Sequence, residues 1–286
     1  MQANKVILNL SIFLIALFLI SSISRCGSSS NDNNTNAINI VGPADSLLKV
    51  YKNKNNLTII LSDMDYIESN DLYQHKYHIV YTETKNSSNN SKVDSTNDDP
   101  LLTQGQTSNK TSAMVDSTDW IKVDVAYFDK HINDLGMEIA SIDNGSIRKA
   151  SAPAGYTNYV GNENYGSWDN SNNWMFYPRY SFFNAWLMYS IMPIRYSYWD
   201  TYRTGYYRTG SSYYGTGTNG GRMYGSGSNV SNNYKNKNWT NKSPSSKRSI
   251  RSKAQRTTAK KTSFGGRRSS SRYGSSARSR GSSFGK

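Results

Sequence analysis

The chain has 286 residues, with 34 Lys and Arg against 20 Asp and Glu, a formal charge of +14 and 36% hydrophobic residues. That apolar share lies below the level of ordinary globular domains and excludes one large core spanning the whole chain. A single Cys excludes an intrachain disulfide framework and any multi-cysteine zinc or iron–sulfur centre, and three His leave little material for metal or acid–base chemistry.

Residues 1–25 follow the order of a secretory signal. Lys5 supplies a short basic start, an apolar run over 8–20 is broken only by Asn9 and Ser11, and 21–25 is small and mostly polar. Cys26 comes next, followed by a Gly, Ser, Asn and Asp stretch, which predicts a flexible, disordered tether over 26–37. The segment Ile23, Ser24, Arg25, Cys26 resembles the lipobox of bacterial lipoproteins, in which the Cys becomes the lipid-modified first residue of the mature chain. Arg25 departs from that pattern, which places a small residue before the Cys. The resemblance implies lipid attachment at Cys26, and several acyl chains at about 0.8 kcal/mol per buried CH₂ would hold the protein on a membrane permanently.

Residues 38–200 read as a small domain. Two β-branched, apolar runs at 57–61 and 77–82, joined through the turn composition of 69–71, predict an antiparallel hairpin. From 84 to 118 the chain turns to Asn, Ser, Thr, Asp, Lys and Gln, which predicts a disordered insertion. Ile121, Val123 and Val125 then alternate with Lys122 and Asp124, the pattern of a half-buried strand. Phe128, Ile132 and Leu135 shift to helical spacing, with Gly136 as a left-handed stop. Asn144 and Gly145 between apolar segments predict a tight hairpin. The fold class expected is therefore α+β: a small, mainly antiparallel sheet with one or two short helices.

An aromatic stretch closes the domain. Pro178 and Pro193 bracket residues 179–192, which predict a helix of about 21 Å, too short to cross a bilayer. Such a helix either caps the core or, with the aromatic residues just before it, offers a partner-binding face of Trp174, Phe176, Tyr180, Phe183 and Trp186.

His75 and His78 near Asp63 and Asp65 invite a metal reading, yet strand positions three apart point to opposite faces. Tyr127, Asp129, His131 and Asp134 read as a helix surface rather than an acid–base group. No phosphate loop, nucleophile elbow or zinc-protease motif occurs, and no cofactor is expected.

Residues 201–286 hold 19 Lys and Arg and no Asp or Glu, which leaves residues 1–200 mildly acidic. Tyr202, Arg203, Thr204, Gly205 recurs as Tyr207, Arg208, Thr209, Gly210, and the chain then becomes rich in Ser, Arg and Gly. This composition predicts a long disordered basic tail. Its candidate contacts to anionic polymer are Arg203, Arg208, Arg267, Arg268, Arg272, Arg278 and Arg280.

In its organisation the chain resembles uncharacterised lipoproteins of Gram-negative bacteria that end in a Ser/Arg/Gly-rich tail. The resemblance implies export, membrane anchoring through the lipid in the cell envelope, with the outer membrane expected, and no particular activity. The expected partners are the membrane, anionic lipid or envelope polysaccharide for the tail, and a protein for the domain. A nucleic-acid-binding tail is the first alternative, disfavoured by export, and an enzyme with an unrecognised site is the second.

Overall fold

Alternating β-branched and aromatic residues build the central hairpin, and it matches the sequence expectation closely. Strand β1 (Asn55–Ile67) and strand β2 (Leu72–Lys85) pair antiparallel around a short 3₁₀ turn, Glu68–Asn70, closed by left-handed Asp71. The computed structural model describes residues 41–85, 110–181, 183, 194–217, 220–228 and 237–265. The signal, Cys26 and the tether lie outside the described residues.

Around this hairpin the chain assembles an α+β fold with a mainly antiparallel sheet. Strand β3 (Lys110–Ser117) pairs along β2, β4 (Ile121–Lys122) pairs the other end of β2, and β5 (Met137–Asp143) flanks β1. Strands β6 (Ser146–Arg148) and β7 (Ala152–Pro153) both pair β5, which gives the order β3-β2-β1-β5-β6 with β4 and β7 to the side. The turn between β5 and β6 places Asn144 and Gly145 at φ 47° and 79°, the left-handed pair that the Asn-Gly sequence predicts. A separate hairpin joins β8 (Gly166–Trp168) to β9 (Trp174–Phe176).

Helices cover one face of the sheet. Helix α1 (Pro43–Val50) begins with Pro at its first turn, and Asp45 accepts the Gly42 amide at 2.9 Å. Helix α2 (Val125–His131) is capped by the Asp124 carboxylate, which accepts the Ala126 amide at 2.8 Å. Gly136, at φ 76°, follows one turn later and donates to the Leu61 carbonyl. Leu47, Leu48, Phe128, Ile132 and Leu135 pack onto Ile59, Leu61, Tyr77 and Ile79 of the sheet.

The opposite face carries a second, aromatic core. Ile60 and Val80 point into it, against Tyr156, Tyr159, Trp174, Phe176, Tyr180 and Phe183. Residues 57–64 are consequently buried without interruption. Among the described residues twelve of the 22 Tyr are buried. Tyrosine thus supplies the apolar mass that the composition lacks, and several of its hydroxyls find partners: Tyr156 with Tyr224 at 2.9 Å, Tyr159 with the Asn56 carbonyl, Tyr202 with Thr157 at 2.7 Å.

Two expectations need correction, and a third lies mostly outside the described residues. The segment read as an insertion over 84–118 is partly sheet, because Ala113 and Val115 alternate with Met114 and Asp116 and pack against the second core; residues 86–109 lie outside the described residues. The helix expected over 179–192 falls mostly outside the described residues; within it, a 3₁₀ turn, Pro178–Tyr180, precedes Phe183, which is helical and buried. The described parts of the basic tail, up to residue 265, fold onto the domain: helix α3 (Tyr196–Thr201) runs into a π-helical stretch, Tyr202–Tyr207, and helices α4 (Asn238–Asn241) and α5 (Pro244–Gly265) follow. A handful of large side chains suffices for this, since Tyr202, Tyr213, Met223 and Tyr224 enter the second core while Trp239, Ile250 and Ala254 enter the first.

Candidate anion-contacting face

The C-terminal helix is the most strongly charged element of the described structure. Pro244 opens α5, the Ser243 hydroxyl accepts the Ser246 amide at 3.1 Å, and the following Lys, Arg, Gln and Ala favour helix. Ile250 and Ala254, one turn apart, are buried against α2 and Trp239, whose ring meets Phe128 edge-on at 5.9 Å. With that stripe turned inward, Arg248, Ser249, Ser252, Arg256 and Lys260 are exposed. Residues 237–265 contain nine Lys and Arg and no acid.

Acidic side chains of the β1–β2 hairpin hold this segment in place. The Asp63 carboxylate accepts the amides of Asn238 at 2.8 Å and Trp239 at 3.2 Å. Lys242 pairs with Asp65 at 2.7 Å, and Lys253 pairs with Asp71 at 3.0 Å and bonds the Tyr66 hydroxyl. Burial pushes the Asp63 carboxyl up, against the opposing pull of the amides. The Lys253 ammonium is held above its ordinary range by Tyr66 and Asp71, and Asp71 is lowered by Lys253. Arg251 reaches the Asn133 amide oxygen at 2.8 Å. Asp63, Asp65 and Asp71 are therefore the receiving surface for the tail. The signal that could have found it is the pairing of an acidic turn with a basic segment containing Trp239, Ile250 and Ala254.

The predicted anion contacts separate by position. Arg203 lies over the Tyr207 ring at 3.9 Å, on a ring that Arg148 also covers at 3.4 Å, so it is half-buried in a cation–π stack. Arg148 also donates to the Tyr207 carbonyl at 2.7 Å, and the Tyr207 hydroxyl donates to Asp143 at 2.5 Å. Arg208 is exposed. Arg267, Arg268, Arg272, Arg278 and Arg280 lie outside the described residues.

The aromatic partner-face expectation meets a different geometry. Trp174, Phe176, Tyr180 and Phe183 are all buried, Phe183 completely, and their rings pack on one another and on Tyr159 and Tyr165. These four side chains are occupied in the second core; Trp186 lies outside the described residues.

Buried polar groups form two further clusters. Tyr127, His131 and Asp134 are interior, not a helix surface, because α5 and the segment around Ser226 cover α2 on the side away from the sheet. Asp134 accepts from Ser151 and Tyr214 at 2.7 Å each and faces the His131 Nδ1 at 2.7 Å. Serine and histidine both address the carboxylate rather than each other, which is a shared-acceptor knot and not a nucleophile relay. Glu138 accepts the Gly155 amide at 2.9 Å and the Thr157 hydroxyl, and burial pushes its carboxyl up to about 7. His75 is fully buried with Nδ1 at 2.9 Å from the Tyr77 hydroxyl, and burial holds it well below the usual imidazole range. Among the described residues no group of three or more His, Cys, Asp or Glu could hold a metal ion.

Among the described residues no helix is long and apolar enough to cross a membrane. Comparison of the chain with family models, curated proteins and solved structures gives no match.

Proposed function

We propose that the protein is an exported, membrane-anchored, non-enzymatic component of the cell envelope whose folded domain holds a basic helix against anionic envelope polymer. The observation that carries this reading is the mounting of α5: Ile250, Ala254 and Trp239 fix one side, and Arg248 and Arg256 project from the other on a helix without an acidic residue. A rigid row of guanidinium groups suits phosphate and carboxylate oxygens, and it extends the cationic sequence that continues through residue 286. Anchoring rests on the signal-like start and the lipobox resemblance at Cys26. Binding of this kind weakens with rising salt, as exposed charges separated by more than about 8 Å are screened at physiological ionic strength.

Two experiments test the reading. Retention of the full chain on immobilised acidic polysaccharide falls steeply with salt, and a variant carrying Arg248→Gln and Arg256→Gln elutes at lower salt. Equal elution of both proteins, or retention on single-stranded DNA at much higher salt than on polysaccharide, overturns it in favour of no specific contact or of nucleic acid. Fatty-acid labelling of the wild type, absent in Cys26→Ala, supports the anchor; equal labelling of the two removes it.

A further inference from the structure

A second surface stands apart from α5 and carries different chemistry. The loop over 169–173 joins β8 to β9, and Asp169 is consumed within it, accepting the amides of Ser171 and Asn173 at 2.8 Å each and the Asn173 side chain at 3.3 Å. Asn172 takes the left-handed conformation at φ 59°, and its carbonyl accepts the Tyr196 amide at 2.8 Å. Asn173 forms a β-bridge with Arg195. These bonds tie the loop to the start of α3 and leave an open cavity of about 450 Å³ lined by Ser171, Asn172, Asn173, Arg195, Tyr196 and Ser197. That size lies within the ordinary range for small-ligand sites.

One wall of this corner is aromatic. Tyr196 is 41% exposed, and its ring stands edge-to-face on Trp168 at 5.1 Å and tilted to Trp199 at 5.7 Å. Trp168 in turn meets Trp174 at 5.0 Å and Trp199 at 5.6 Å, so the exposed ring is braced from behind by three indoles. The remaining lining is polar: two amides and two hydroxyls, which can donate and accept, and one guanidinium. Arg195 is exposed, and its guanidinium, unlike its backbone, makes no hydrogen bond or ion pair among the described residues.

We propose that this corner is a binding site for an acidic oligosaccharide, with a sugar ring stacked on Tyr196, its hydroxyls bonded by Asn172, Asn173 and the two serines, and its carboxylate on Arg195. The division of labour follows from the ligand's chemistry. A sugar offers one flat CH face for an aromatic ring, a rim of hydroxyls for mixed donors and acceptors, and, in a uronic acid, a carboxylate that fits the guanidinium fork. Asp169 is ionised, but it is outside the lining and its oxygens face the amides of its own loop rather than the cavity. A nucleic-acid strand needs a track of cations beside several free ring faces, whereas this cavity has a single cation, and Trp168 and Trp199 are packed against their neighbours. The site uses no residue of α5, so it is independent of the helix-mediated contact proposed above.

The test is a tryptophan-fluorescence titration of the full chain with trigalacturonate, with maltotriose as a neutral trimer and with a short oligo-dT. Trigalacturonate binds saturably, Arg195→Gln and Tyr196→Ala each weaken it about tenfold, the effect of one contact worth about 1.4 kcal/mol, and maltotriose binds about tenfold more weakly. Tyr196→Phe keeps the ring and keeps the affinity, which separates loss of stacking from loss of folding. In the double Arg248→Gln, Arg256→Gln background, Arg195→Gln still weakens trigalacturonate binding about tenfold, so failure of the helix contact and failure of this site are read separately. Absence of trigalacturonate binding at millimolar concentration, affinity unchanged by Arg195→Gln and Tyr196→Ala, or tighter binding of oligo-dT through the same two residues each overturns the proposal.

Discussion

The Asp63 carboxylate and the Trp239 amide, 176 residues apart in sequence, are joined by a 3.2 Å hydrogen bond, and the neighbouring Asn238 amide reaches the same side chain at 2.8 Å. A strand carboxylate thereby caps the first turn of α4. It also accepts the Met64 amide at 2.8 Å, so three backbone donors depend on it. Asp63→Ala removes all three bonds at a buried position, and charge-assisted bonds contribute about 1.5–3 kcal/mol each. The expected outcome is a loss of about 3 kcal/mol in urea unfolding, with faster trypsin cleavage within 237–261. Unchanged protease resistance in that segment contradicts the capping role.

The Asp134 knot yields a sharper stability test. Its two oxygens serve Ser151, Tyr214 and His131, of which Ser151 and His131 are themselves buried. Asp134→Ala strands these groups without an acceptor and costs about 3–5 kcal/mol. Asp134→Asn retains one acceptor oxygen and costs less. Ser151→Ala deletes a single donor and costs about 1 kcal/mol. Urea denaturation of the three variants checks the ranking, and equal losses for Asp134→Ala and Ser151→Ala are inconsistent with a shared acceptor.

Local signals in the sequence were sufficient for the central hairpin, the Asn144-Gly145 turn and α2, because each rests on periodicity or on turn chemistry within a few residues. Helix α1 carried its own marks, Pro43 at the start and Leu47 with Leu48 on one face, but it is short and follows a polar stretch. Strand β3 was hidden by composition: Lys110, Thr111 and Ser112 read as loop, and only the hydrogen bonds of β2 make them strand. Docking of α5 was invisible locally, since it depends on Trp239, Ile250 and Ala254 meeting Phe128 and on Asp63, Asp65 and Asp71 meeting the tail. The aromatic corner was equally nonlocal, because Tyr196 and Trp168 come together only through the bridge between Asn173 and Arg195.

Buried His75 and half-buried His78 both disfavour the fold in acid. His75 is held well below its ordinary value of 6.5, and His78 is lowered to about 4, in both cases chiefly by burial. In the unfolded chain both protonate near 6.5, so below that pH the unfolded state binds more protons and stability falls with falling pH. The limiting slope is about 1.4 kcal/mol per pH unit for each histidine. His75→Phe removes one of the two protonation steps, and urea unfolding between pH 7 and pH 5 reads the smaller slope. An unchanged slope contradicts a buried neutral His75.

Glu138 acts with the opposite sign in an overlapping window. Its folded value of about 7 lies above its ordinary 4.5, burial being the main cause, so between pH 4.5 and 7 the folded state binds the extra proton. Stability from this residue is full below 4.5 and is lost as pH rises to about 7, a change on the order of 3 kcal/mol. It therefore offsets part of the histidine effect in the wild type. Glu138→Gln keeps an acceptor for the Gly155 amide and offers its NH₂ to the Thr157 hydroxyl, which remains free to donate to Tyr202. The variant is expected to be more stable than the wild type at pH 8, by about 1–3 kcal/mol, and to lose stability more steeply between pH 7 and pH 5. Parallel stability profiles for the two proteins across that range show that Glu138 carries the same charge in both states and remove this account of the buried carboxyl.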